Sequence, residues 1–249
     1  MYLRMAKKLS FITIFFSSQV FAGSVSNEVE EKVSHFVDRF GLEDVYQKAV
    51  YNQGGGFEDL YGTRNFRAVL HGILYRGGAN NYYHRENRRD NRNPLPIDGL
   101  TNLCKEGFST AIYLYTRNFE TAPKSISCTT RKGEKNTLKY ENYWYNDLEL
   151  NKEILKIVHT KIKGEDVTPI YAHCWNGWHA SGLIAALALR QFCNVSPERA
   201  VSYWMRGADG TADNTKAYDS LKRKIRNFTP SPSLTLTESE RSLFCPSID

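Results

Sequence analysis

The succession of short apolar runs and amphipathic segments predicts an α/β domain with a mostly parallel central sheet covered by helices on both faces. Three observations carry that expectation. Runs rich in β-branched and aromatic residues, such as 110–115 and 138–145, recur between segments of helical periodicity. Residues 169–172, Pro-Ile-Tyr-Ala, form a short apolar run suited to a strand buried on both faces. The Asn176-Gly177 turn and the apolar run 183–189 come next, and they predict a helix capped by Ser181 and reaching about Phe192.

Taken in order, the chain opens with Arg4, Lys7 and Lys8, an apolar stretch over 9–16, and Val20-Phe21-Ala22. This pattern predicts a signal peptide over 1–22 with cleavage after Ala22, and so a periplasmic or secreted protein. The stretch is too short to span a bilayer, and no later one approaches the ~20 residues required. Residues 23–60 are expected to form an N-terminal helical extension. In it Val29, Val33, Phe36, Phe40 and Val45 lie at helical spacing, and Gly41 breaks a helical pair. The glycine-rich stretch 53–56 reads as a turn, since no lysine succeeds it as a phosphate cradle needs.

The main domain is expected over 61–228, with a Pro- and Ser-rich tail over 229–249. Residues 65–69 and 72–76 read as the two strands of a hairpin. Next comes a polar loop with Arg85, Arg88, Arg89 and Arg92, either a solvated loop or a basic rim to a site. Residues 100–105 are helical, 110–115 form a central strand, 131–136 a charged turn, and 138–145 a further strand ending at Asn146-Asp147. Ile154, Leu155, Val158 and Ile162 define an amphipathic helix over 151–162. After the helix beyond Gly182, Ser196-Pro197 starts another, with serine as cap and proline in the first turn. Residues 217–228 form a last, basic helix.

Charge and cysteine content bound the function. The 249-residue chain carries a formal charge of +6, which falls to +3 without Arg4, Lys7 and Lys8. So mild a balance argues against a dedicated nucleic-acid binder and tolerates anionic ligands. The cysteine count is five, an odd number. In an oxidising compartment Cys104 pairs naturally with Cys128, and Cys193 with Cys245 in the tail, which leaves Cys174 as the free thiol. No ligand spacing among histidines and cysteines points to a metal, and no cofactor is expected.

Cys174 lies between a buried strand and a helix N-terminus, where backbone N–H groups can converge on an anion and favour a thiolate. The stretch His173-Cys174-x-x-Gly177-x-x-Ala180-Ser181-Gly182 resembles the active-site loop of the cysteine-dependent protein tyrosine and dual-specificity phosphatases, His-Cys-x-x-Gly-x-x-Arg-Ser/Thr-Gly. The segment 74–78, Leu-Tyr-Arg-Gly-Gly, is similar to the opening segment of the dual-specificity members.

The resemblance implies a phosphatase-like fold of the dual-specificity type, working without a cofactor on a phosphate ester. Cys174 would be the nucleophile, Asp147 the acid that protonates the leaving oxygen, and Ser181 a hydroxyl that helps the phosphorylated cysteine leave. His173 would order the loop. Trp175, Asn176, Gly177, Trp178, His179 and Gly182, with Arg76, would surround the ligand. Bland readings stand beside these: Asp147 also reads as a helix cap, and the two tryptophans as packing residues.

The departure from the family pattern is Ala180, where the arginine that grips two phosphate oxygens should stand. Arg67, Arg76, Arg206 or the 85–92 loop are candidates to replace it, and His179 could offer a partial charge. The sequence thus supports two expectations: a divergent phosphatase with a displaced arginine, or an inactive pseudophosphatase that binds an anion or a protein partner.

Overall fold

In the computed structural model, which describes residues 25–80, 85, 94–164, 167–211 and 216–248, the apolar runs pair into one six-stranded sheet. The strands are β1 Thr63–Leu70, β2 Leu74–Ala79, β3 Thr110–Tyr113, β4 Ser125–Thr129, β5 Lys135–Asn142 and β6 Ile170–Cys174. They lie in the order β1-β2-β6-β3-β5-β4. The inner strands β2, β6, β3 and β5 run parallel, and β1 and β4 pair antiparallel at the edges. Burial matches this arrangement: every residue of β6 is buried, whereas β4 alternates exposed and half-exposed positions.

The seven α-helices described are α1 Asn27–Phe40, α2 Ile97–Lys105, α3 Leu148–Lys163, α4 Ala180–Phe192, α5 Pro197–Arg206, α6 Asp219–Asn227 and α7 Glu238–Phe244. Successive side chains along the strands alternate between two cores. Leu74, Ile112, Ile170, Ala172 and Cys174 join one core with residues of α3, α4, α5, α6 and α7. Tyr75, Ala111, Tyr113 and Tyr171 join the other, an aromatic core shared with α2 and with Phe36 and Phe40 of α1. The expected α/β architecture with helices on both faces is therefore present.

The register decides where the site lies. Gly77 of β2 and Tyr113 of β3 both stand level with His173 of β6. Three parallel strands thus end together, and Cys174 emerges one residue beyond, at the carboxyl edge where sheets of this kind bind ligands.

Two expectations need correction, and two elements, β4 and α7, were not expected. The helical pair over 27–49 is one helix: Gly41 adopts φ +61° and closes α1 by donating to Val37 O. Beyond it Asp44 Oδ1 accepts the N–H groups of Tyr46 and Gln47, an Asx turn in place of a second helix. Strand β4 escaped notice because it is short, polar and at an edge. The helix after the Cys174 turn begins at Ala180, so Ser181 lies in its first turn rather than at its cap. Last, residues 229–248 are structured, because Thr237 and Glu240 form a capping box that starts α7, and Phe244 is buried in the main core. Disulfides join Cys104 to Cys128 and Cys193 to Cys245, the second fastening the end of α4 to the end of α7. The expected signal peptide, residues 1–22, and Arg88, Arg89 and Arg92 lie outside the described residues.

Candidate active site at the Cys174 loop

Between β6 and α4 the chain turns tightly against the end of β2. Ala79 donates to Trp175 O at 3.0 Å, and Asn65 Nδ2 donates to Asn176 O at 2.6 Å. Gly177 holds φ +76°, and a Cβ there would stand 2.7 Å from the Gly77 carbonyl carbon. On the opposite side of this contact a Cβ on Gly78 would meet Trp175 O at 2.4 Å. Close approach of the two backbones, not flexibility, thus explains Gly78 and Gly177, while a Cβ on Gly77 would collide with the Tyr171 hydroxyl and the Arg64 carbonyl.

Cys174 is buried and is the free cysteine among the described residues. Its Sγ lies 3.5 Å from Ser181 Oγ, so the hydroxyl can donate to a thiolate. The first turn of α4 directs the positive end of its helix dipole toward the same place.

A cavity of about 420 Å³ opens in front of the thiol, lined by Tyr115, Cys174, Trp175, Asn176, Trp178, His179, Thr211 and Tyr218. Aromatic rings dominate its wall: Trp175 lies against Tyr115, and His179 stacks on Tyr218 with centroids 4.0 Å apart. His179 Nε2 lies 3.0 Å from Thr211 Oγ1, and burial lowers the imidazole pKa below its ordinary 6.5. Burial, and then the charge of Cys174, push the Tyr115 hydroxyl well above its ordinary value. Among the described residues, the wall therefore holds no arginine, lysine or carboxylate, and its histidine is biased to the neutral form.

Positive charge lies behind the loop instead. Arg76, fully buried on β2, donates through Nη1 to Gly177 O at 2.9 Å and Trp178 O at 3.4 Å, and through Nη2 to Gly207 O at 3.4 Å. Its neighbour in register on β1, Arg67, is also buried and pairs with Asp209. Asp209 further accepts from Lys48 and from the indole of Trp178.

His173 occupies the aromatic face. Its Nδ1 lies 3.2 Å from the carbonyl of Cys174, which can only accept, so Nδ1 carries the hydrogen. Nε2 is then free to accept from the Tyr140 hydroxyl at 2.8 Å. Complete burial holds this imidazole neutral, with its pKa down to about 3.

No known family pattern matches this chain, and no curated protein matches it. Among solved structures, the chain is similar to the core catalytic domain of the PP-IP phosphatase SIW14 from S. cerevisiae, determined in complex with citrate. The two share 16% identity over 66% of this chain and 85% of that one, with a TM-score of 0.38. So loose a likeness says nothing about individual residues, and the chemistry of the site has to come from the side chains of this chain.

The residues singled out in the sequence divide into three groups. Cys174, Trp175, Asn176, Trp178 and His179 line the cavity, and Ser181 touches the thiol from behind. Gly177 and Gly182 shape the loop, since a Cβ on Gly182 would press on Arg76 and Trp204. Arg76, His173 and Asp147 stand apart from the cavity. Arg76 is spent on loop carbonyls, and His173 is locked between Tyr140 and a backbone oxygen. Asp147 is exposed and caps α3, accepting from the N–H groups of Glu149 at 2.9 Å and Leu150 at 3.2 Å. Its carboxylate therefore serves as a helix cap and is not among the residues lining the cavity.

None of the described arginines proposed as a replacement reaches the cavity wall. Arg67 pairs with Asp209, Arg206 lies over the Tyr46 ring, and Arg85 pairs with Glu58. Ala180 is itself fully buried in the main core. Sequence reading missed Tyr115, Thr211 and Tyr218. Tyr115 was legible in principle, because it lies just past the carboxyl end of a central parallel strand, whereas the other two come from a turn and a short helix with no local signal.

Proposed function

We propose that this chain is a phosphatase-like binding protein, which holds a phosphate ester or similar anion at the Cys174 loop without efficient turnover. The observation that carries the reading is the cavity wall, which has a thiol and aromatic rings but, among the described residues, neither a cation nor a carboxylate. Loss of one preorganised charge-stabilising donor typically costs ~3–4 kcal/mol of transition-state stabilisation, two to three decades in rate. Asp147, the expected acid, caps α3 and is not among the cavity-lining residues, which adds support to this reading. The loop and helix terminus still favour an anion, and the aromatic wall supplies faces on which an aryl or sugar-like group can stack.

The enzyme reading keeps one observation in its favour: Cys174 remains a thiol beside Ser181 while the other four cysteines are oxidised. On that reading the thiolate attacks phosphorus and the ester oxygen leaves with a proton from Asp147. Water then attacks the phosphocysteine to release phosphate and restore the thiol.

Export through the segment 1–22 belongs to this proposal. It is supported by the two disulfides, and no described helix is long and apolar enough to cross a membrane.

Hydrolysis of an aryl phosphate, measured on the wild type and on Cys174→Ser, tests the assignment. The expected result is a rate close to background for both, with vanadate, a phosphate mimic, binding the wild type. Turnover lost in Cys174→Ser and reduced in Asp147→Asn would transfer the assignment to the enzyme.

A further inference from the structure

Three donors on separate parts of the fold converge on a single carboxylate beside the Cys174 cavity. Lys48 Nζ lies 3.0 and 2.8 Å from the two oxygens of Asp209. Arg67 Nη2 reaches Oδ1 at 3.0 Å, and Trp178 Nε1 reaches Oδ2 at 3.1 Å. We propose that these donors form an anion subsite for a phosphoryl group, occupied in the free chain by the chain's own Asp209.

The charges around Asp209 do not balance. Lys48 and Arg67 bring two positive charges to one carboxylate, and Arg76, level with Arg67 on the adjacent strand, adds a third that is bonded to carbonyl oxygens. A single negative charge leaves this group under-compensated, while a phosphoryl dianion matches it better and offers a further oxygen. Burial lowers Lys48, and burial with the charge of Arg76 brings Arg67 down to about 10. Arg67 therefore remains cationic at neutral pH. Burial alone would raise the Asp209 carboxyl, but the Lys48 hydrogen bond and the charge of Arg67 hold it below its ordinary value.

The cluster also has unused hydrogen-bonding capacity. Arg67 is 2% exposed, and its Nε finds no hydrogen-bond partner among the described residues. A donor so deeply buried and unpaired is costly unless something else accepts from it.

Access and continuity complete the case. The side chains of Lys48 and Asp209 are 21% and 24% exposed, so solvent reaches the pair. Asp209 sits at φ +51° beside Gly210 at φ +78°, in a turn that continues to Thr211 of the cavity wall. Trp178 belongs to both places: its ring lines the Cys174 cavity and its Nε1 serves Asp209. A ligand with two anionic groups can therefore place one at the loop and one at Lys48 and Arg67. This inference does not require Cys174 to turn over substrate.

Titration calorimetry of the full chain with inorganic phosphate and pyrophosphate provides the test. Asp209→Ala and Asp209→Asn are each expected to bind phosphate about tenfold more tightly than the wild type, one charged hydrogen bond's worth. Adding Lys48→Met removes that gain, and adding Cys174→Ser leaves it. The proposal is overturned by folded Asp209 variants that show no gain, by a gain that survives Lys48→Met, or by one that Cys174→Ser abolishes. Where an Asp209 variant is too unstable to titrate, its thermal midpoint should rise with added phosphate more than that of the wild type. An equal rise contradicts the subsite.

Discussion

The two sides of the Cys174 loop carry opposite chemistry. In front lies a cavity walled by Tyr115, Trp175, Trp178, His179 and Tyr218 with no fixed charge among the described residues, and behind lie the buried guanidinium groups of Arg76 and Arg67. A phosphatase of the kind the loop resembles needs its arginine in front, where it can meet a phosphate. Here the cation on the loop axis is Arg76, and its N–H groups are consumed by the carbonyls of Gly177, Trp178 and Gly207. The rear arginine therefore builds the loop, and the front is left to an aromatic surface and a thiol. A guanidinium can shape such a loop without lining the cavity in front of it.

That contrast is easiest to break from behind. Arg76→Met should be the most damaging change, because it strands three carbonyl contacts in the interior. A loss of about 3 kcal/mol or more in urea unfolding is expected, and a loss below ~1 kcal/mol would show that the loop stands without it. The cysteines divide in the same way, into structural pairs and one free thiol at the front. Replacing Cys193 and Cys245 together by serine should cost about 2–4 kcal/mol, read as a lower urea midpoint and proteolysis of the α7 segment. Unchanged stability would mean that the packing of Phe244 alone holds the tail.

The aromatic face of the sheet, where His173 lies, should set the acid sensitivity. His173 has its pKa down to about 3 in the folded chain and titrates near 6.5 when unfolded. Between those values the unfolded chain binds a proton that the folded chain refuses. The stability is complete above 6.5 and is lost as pH falls toward 3. At pH 5 the loss from this group should be about 2 kcal/mol, and His173→Gln should flatten the profile of unfolding free energy against pH. A slope equal to that of the wild type would place the sensitivity elsewhere, for instance at His71, which burial also lowers.

The smallest effect belongs to the front. Cys174→Ser should change stability by less than ~1 kcal/mol while abolishing alkylation of the unreduced protein by iodoacetamide. Persistent labelling at another position would contradict the disulfide pairing.

Much of the fold was legible because the buried strands announce themselves. Residues 169–172 and 110–115 are continuous apolar runs, as strands covered on both faces must be, and Ser196-Pro197 marks a helix start by local chemistry alone. Strand β4 was hidden because an exposed edge strand needs no apolar pattern. The second helix expected after Gly41 failed because Asp44 captures two N–H groups that a helix would have used. At the site, the loop could be read because its residues are contiguous. The Asp209 cluster could not, since Lys48, Arg67, Trp178 and Asp209 are brought together only by tertiary packing. Arg76 was noticed as a ligand candidate, but nothing in the sequence reveals that carbonyls 101 and 131 positions away absorb its hydrogen bonds.

On the proposed reading, the Cys174 cavity binds an anion and does not process it efficiently. The most direct measurement tracks two signals on one wild-type sample: protection of the Cys174 thiol from iodoacetamide by inorganic phosphate, and release of phosphate from an aryl phosphate. Protection that saturates with phosphate is expected, together with release indistinguishable from that of Cys174→Ser. Sustained release that depends on Cys174, or a thiol that phosphate fails to protect, would contradict it.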